Sequence, residues 1–204
     1  MVDDLGIYEY HSHNPQENFS SSDTRQKPEA KFAEQFACAY RDRFTKIHSR
    51  TTKWRTLFVR EVPVFGNGIT DLLVLSWSKS PAKQASGSLD FDKLDPTVRA
   101  FEFKLSDWRK GLMQAHRYKY FSHASTLVLP CHKMRSVASQ IEIFRKLRVG
   151  LWWFSTKNGT ITCSYTPRPI RQQIPKYGQR AIRLAAQAVC SQFGSLPKLS
   201  QAIQ

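Results

Sequence analysis

Three short runs of β-branched and aromatic residues, followed at once by a capped helix, constrain the fold of this chain more than any other feature. Leu57–Phe65 reads as a strand. Gly66-Asn67-Gly68 is a turn signal and Ile69–Leu75 is a second apolar run, so the two are expected to pair as a hairpin. Val98–Leu105 reads as a third strand, and Ser106-Asp107 offers an N-cap to a helix over residues 108–119, with Trp108, Leu112 and Ala115 on one side. Upstream, Pro28 suits the first turn of a helix whose Phe32, Phe36, Ala39 and Tyr40 recur at helical spacing to about residue 44. Downstream come a strand at Thr126–Pro130 and a helix over 135–147 through Val137, Ile141, Phe144 and Leu147. Strands at 149–154 and 160–165 flank an Asn158-Gly159 turn, and a last helix at 177–193 carries the stripe Ile182, Ala185 and Val189. The order helix, three strands, helix, strand, helix, strand pair, helix predicts a one-domain α/β sandwich. Residues 1–27 read as a flexible polar tail, 78–97 as a surface loop and 166–204 as a basic extension whose helix packs on the core.

Composition narrows the function classes. With 204 residues, 41% of them hydrophobic, the chain has material for one full core. No apolar run approaches the ~18 residues of a membrane span, and no apolar segment follows a basic start, so no membrane and a cytoplasmic location are expected. Cys38, Cys131, Cys163 and Cys190 form no CxxC pair and lie at no zinc-site spacing, which predicts reduced, mostly buried thiols. His11 and His13, in the polar tail, are not read as a metal site. The net charge is +15, and it is unevenly placed. Residues 1–107 hold 15 Lys+Arg against 15 Asp+Glu, whereas residues 108–204 hold 16 Lys+Arg and one acid, Glu142. Basic residues are ordinarily a solvated surface, but solubility is usually met with mixed signs. Near-total removal of acids over half a chain points to an extended surface for a polyanion, nucleic acid first.

Charge on the strands is the second signal. Asp71 opens the otherwise apolar Leu72-Leu73-Val74-Leu75, where a lone buried carboxylate is costly. Glu102 and Lys104 interrupt Ala100, Phe101, Phe103 and Leu105, and alternation puts the two on one face. If Asp71 lies beside them, two carboxylates and an ammonium converge. Two carboxylates aided by a backbone carbonyl, here that of Phe103, make a hard oxygen site for Mg²⁺ or Mn²⁺. Such a site suits phosphodiester hydrolysis, with the lysine orienting water and stabilising developing charge. The same residues also admit a plain Glu102–Lys104 ion pair at a sheet edge.

The set Gly68-Ile69-Thr70-Asp71-Leu72-Leu73-Val74, Glu102-Phe103-Lys104 and Gln114-Ala115-His116-Arg117-Tyr118 resembles the PD-(D/E)XK nuclease superfamily. The similarity is to its Q-x-x-x-Y branch, the RecB- and Cas4-like nucleases, and covers about residues 28–165. It implies a restriction-endonuclease-like αβββαβ core, a mixed sheet flanked by helices, with the strand pair and helix at the C-terminus as additions. It implies Asp71 and Glu102 as metal ligands, Lys104 as the catalytic lysine, and Gln114 and Tyr118, four apart on one helix face, as residues lining the site. Glu34 on the first helix and Glu61 on the first strand are further candidate ligands. Thr70 stands where the motif has proline, which supplies no chemistry. The iron–sulfur cysteines of some relatives are missing, so no cluster is expected. No GxxxxGK[ST] motif is present, so no bound nucleotide is expected and a helicase or other protein would be a separate partner. Resolvase and restriction relatives imply a homodimer by analogy.

Phosphate contacts are expected from Arg109, Lys110, Arg117 and Lys119 around Gln114, and from a second cluster of Arg168, Arg171, Lys176, Arg180 and Arg183. Trp152 and Trp153 could stack on unpaired bases, although strand aromatics beside Phe154 are more often core. The leading expectation is a nuclease acting on DNA, branched or single-stranded included, and associated with the nucleoid. An idle nuclease-fold DNA-binding or assembly subunit is the alternative. A basic ribosome-associated factor accounts for the charge but not for the strand carboxylates.

Overall fold

The structure, a computed structural model, describes residues 7–9, 28–48, 54–64, 68–78 and 95–192. Among the described residues, seven strands form one mixed sheet: β1 (Ile7–Glu9), β2 (Trp54–Pro63), β3 (Ile69–Ser78), β4 (Thr97–Phe103), β5 (Ala124–Pro130), β6 (Gly150–Phe154) and β7 (Ile161–Tyr165). The helices are α1 (Pro28–His48), α2 (Trp108–Arg117), α3 (Met134–Val137), α4 (Ile141–Leu147) and α5 (Pro175–Gln192). Strands lie in the sheet in chain order. β2, β3 and β4 form an antiparallel meander, β4, β5 and β6 run parallel, and β7 returns antiparallel.

The sequence alternation sets two faces. Phe58, Leu72, Val74, Phe101, Phe103, Val128, Trp152 and Phe154 point to one side, where Phe32, Ala33, Phe36, Ala37 and Tyr40 of α1 bury them. Phe36 lies 5.1 Å from Phe103 and 5.5 Å from Phe154, ring centre to ring centre, both edge-on. The residues between them point to the other side. Leu57, Val59, Leu73 and Leu75 pack under Ala181, Ile182 and Ala185 of α5. Leu127, Leu129, Leu151 and Trp153 pack under Leu112 and Ala115 of α2, Val137 and Phe144. The described residues are thus helix, sheet, helices in three layers, and α5 packs on the core through Ile182 and Ala185 of its expected stripe. No described helix is long and apolar enough to cross a membrane.

Several elements differ from expectation. Ile7–Glu9, within the expected tail, pair in parallel with Thr56–Phe58. The helix expected over 135–147 is interrupted: Ala138–Gln140 form a 3₁₀ turn between α3 and α4. The α2 segment likewise tightens into a 3₁₀ turn at Tyr118–Tyr120. Trp152 and Trp153 are core residues, their indole N–H groups donating to Thr166 Oγ1 and Ser164 Oγ at 2.8 and 2.6 Å, so neither is free to stack on a base. The thiols are less buried than expected, with Cys38 and Cys131 half-buried and Cys163 exposed. The remainder of the tail with His11 and His13, most of the 78–97 loop and residues 193–204 lie outside the described residues.

Candidate functional site

The β3–β4 ladder brings the two strand carboxylates together. Its last pair is Leu72 with Phe101, so one further step in the same register sets Asp71 opposite Glu102. Both share the face of Leu73 and Ala100 by alternation. The ladder stops here because Asp71 replaces the backbone: its Oδ2 accepts the Phe103 N–H at 2.8 Å. In an extended strand the N–H and C=O of one residue leave on the same edge, so the Phe103 carbonyl also faces the Asp71 side.

Glu102 is 1% exposed, with its Oε1 in an ion pair and its Oε2 in a hydrogen bond. Lys104 Nζ lies 2.8 Å from Oε1, and Tyr118 donates its hydroxyl to Oε2. The Tyr118 oxygen is also 2.8 Å from the Ile69 carbonyl, so its single proton has two acceptors. Burial, then the Glu102 charge, pushes the Asp71 carboxyl up to about 7, against the opposing pull of the Phe103 N–H and Lys104. Burial works against the Lys104 ammonium, but the bond to Glu102 and the charges of Glu102, Glu29 and Asp71 outweigh it and lift its pKa above the ordinary lysine value. Tyr118 is pushed well above a normal phenol by burial and by Glu102.

Helix α2 seats Lys104 and Tyr118. Asp107 Oδ1 accepts the Lys110 N–H at 3.1 Å, the N-cap its sequence position predicts. Gly111 lets the helix come close: a Cβ there would sit 2.7 Å from both Lys104 Cγ and Leu127 Cδ1. Gln114, one turn before Tyr118, has its Oε1 buried with no hydrogen-bond partner.

The first-helix acid at the site is Glu29, and this corrects the choice of Glu34. Glu29 Oε2 is 3.9 Å from Lys104 Nζ, and its Oε1 accepts the Leu105 N–H at 3.3 Å. Glu34, five residues or about 7.5 Å further along α1, instead faces Arg60, 3.9 Å from Nη1. Arg60 is anchored by donating to the Ala30 carbonyl at 3.2 Å. Glu61 is exposed, opposite Asp71 in the β2–β3 register, at a left-handed φ of 52°. That turn of the backbone shifts the alternation, so Val62 and Val64 rather than Glu61 continue the buried face of Leu57 and Val59. Glu29 and Gly111 were missed by sequence reasoning. An acid in the first turn after Pro28 was the available signal for one, and a glycine inside a helical run for the other.

The basic residues divide. Arg109, Lys110 and Arg117 are exposed on α2, with Arg109 stacked 4.6 Å over the Trp108 ring. Lys119 is a correction: its Nζ donates to the Leu147 carbonyl at 2.9 Å, closing the C-terminus of α4 rather than standing free for phosphate. Burial and Arg148 lower its pKa. Arg168, Arg171, Lys176, Arg180 and Arg183 are all exposed, but the second cluster begins at the far end of the sheet. Ile170 N–H donates to the His123 carbonyl, and His123 sits beside Val98 at the start of β4. From Val98 to Glu102 is about 13 Å of strand. Arg171 there borders a cavity of about 490 Å³ with His123, Asp95 and Gln179, apart from the Asp71–Glu102 pair.

The donor set for a cation, among the described residues, is two carboxylates and a backbone carbonyl, not a cluster of three or more His, Cys, Asp and Glu side chains. It fits a hard divalent ion in kind: every donor is oxygen, and the mutual repulsion that raises Asp71 is what a bound positive ion relieves. No family model, curated protein or solved structure matches the chain.

Proposed function

We propose that this chain is a metal-dependent nuclease of the PD-(D/E)XK type that hydrolyses DNA phosphodiester bonds. It acts on DNA structure or ends rather than on sequence, in repair, recombination, defence or mobile-element biology. The observation that carries this reading is the placement of Asp71 opposite Glu102 on adjacent strands, with Lys104 2.8 Å from Glu102. Asp71, Glu102 and the Phe103 carbonyl would hold Mg²⁺ or Mn²⁺. When bound, such an ion polarises the scissile phosphate and acidifies water.

The chain's own residues have definable tasks. Lys104 keeps its proton at neutral pH, so it acts as a fixed positive charge that orients water and stabilises negative charge building on the phosphate. Tyr118 stays protonated and fixes Glu102 Oε2. Glu29 holds Lys104 from the α1 side. Lys110 and Arg117 supply exposed charge for flanking phosphates.

The test is cleavage of single-stranded, duplex, flapped and four-way DNA, and of RNA, in Mg²⁺ or Mn²⁺, by the wild type, Lys104→Ala and Asp71→Ala. Loss of about a hundredfold or more in rate in each variant, with DNA binding retained, is expected. Cleavage surviving in both variants sinks the site. The alternative, an idle DNA-binding or assembly subunit, is favoured by one observation: both Glu102 oxygens are already engaged by Lys104 and Tyr118. Tight binding without cleavage by the wild type selects it.

A further inference from the structure

The two most exposed large apolar side chains among the described residues, Ile69 and Met113, are each 58% exposed, and both belong to elements that build the carboxylate site. Ile69 begins β3 two residues before Asp71, and its carbonyl is held by Tyr118. Met113 adjoins Gln114 on α2. Gly111, Leu112 and Ala115 are the buried side of that helix, so Met113 is fixed outward. Lys110, Met113 and Arg117, spaced three and four apart, make one outward stripe.

Scattered single apolar residues need no explanation. This pair differs because it flanks a site, and Met113 is framed by exposed cations. Apolar side chains between phosphate-binding cations have a specific use on nucleic acid. They wedge against a base face, which costs unstacking energy at each step of a stacked duplex, and least where stacking is already broken. A continuous duplex offers phosphates and groove edges instead.

Resting on the nuclease reading, we infer that Met113 and Ile69 form an apolar wedge against unstacked bases next to the scissile phosphate. The substrate class is then DNA with a frayed, forked or single-stranded segment at the cut, rather than uniform duplex. Lys110 and Arg117 hold the phosphates on either side and contribute equally to all DNA forms.

The test measures binding of the full chain to a forked duplex and to a flush duplex of the same paired sequence, by fluorescence anisotropy in EDTA. A 2-aminopurine at the junction step reports unstacking. The wild type should favour the fork by about fivefold or more, and brighten the probe. Met113→Ala and Ile69→Ser should bring the two affinities to parity with an unchanged urea midpoint, and Met113→Leu should keep the preference. Equal wild-type affinities, or a preference that survives in both variants, overturns the wedge. Cleavage of neither DNA in Mg²⁺ or Mn²⁺ counts against the nuclease reading, while the affinity ratio alone decides the wedge.

Discussion

Replacing Asp71 by Asn should stabilise the protein, and only above a definite pH. The Asp71 carboxyl is raised from 3.8 to about 7, first by burial and then by Glu102 across the ladder. Between those values the folded chain holds a proton that the unfolded chain has released, so stability falls as pH rises from about 4 to about 7. The full shift corresponds to about 4 kcal/mol. The amide introduced by Asp71→Asn cannot ionise, and its oxygen can still accept the Phe103 N–H that Oδ2 accepts at 2.8 Å. Urea unfolding of both proteins in EDTA, at half-unit steps from pH 4 to pH 8.5, reads the difference directly, and titrating groups that do not couple to Asp71 cancel. The two midpoints should coincide near pH 4 and separate by about 2 M urea at pH 8, taking a slope of ~2 kcal/mol/M. Adding Mg²⁺ at about a hundred times its dissociation constant should return about 2.7 kcal/mol to the wild type and nothing to Asp71→Asn. A difference that does not vary with pH, or an Asn variant less stable at pH 8, refutes the electrostatic account of this site.

Three further outcomes follow from the packing. Gly111→Ala places a methyl 2.7 Å from Lys104 Cγ and Leu127 Cδ1, and should cost about 1–3 kcal/mol in urea unfolding while lowering cleavage more than DNA affinity. Tyr118→Phe leaves the buried Glu102 Oε2 without its phenol donor, and a loss of about 1–3 kcal/mol in thermal or urea unfolding is expected. Arg117→Ala should reduce the slope of log affinity against log salt by about 0.9, whereas Lys119→Ala, whose ammonium is committed to Leu147, should leave that slope unchanged and lower stability instead.

Much of the framework is legible because it is local. Pro28 marks the start of α1, Asp107 caps α2, and Asn158-Gly159 turns β6 into β7 with Gly159 at φ 66°. The meeting of Asp71 with Glu102 follows from alternation once β3 and β4 are known to be neighbours, and only the exact register was open. What could not be read depends on placement between elements. Glu29 and Glu34 are both acids on α1, and which one reaches Lys104 is set by how far the helix lies along the sheet. Lys119 sits four residues from Ala115 in a basic run, yet its partner is a carbonyl on α4, twenty-eight residues away in sequence. The face switch at Glu61 could not be placed from sequence, because a left-handed residue other than Gly carries no compositional mark. Periodicity also joins Val137 to Ile141 at a helical interval, which conceals the 3₁₀ turn between α3 and α4.

Because each strand lies beside the one before it, the sheet can grow as the nascent chain leaves the ribosome. No described strand has to insert between two that are already paired. Asp71, Glu102, Lys104 and Tyr118 have all been synthesised by residue 118, but α2, which seats the last two, settles only once Leu127, Leu129, Leu151 and Trp153 lie beneath it. The cover for Leu57, Val59, Leu73 and Leu75 comes from Ala181, Ile182 and Ala185, at the other end of the chain. Until α5 docks, the growing sheet carries an uncovered apolar face, the kind of surface that promotes aggregation during folding.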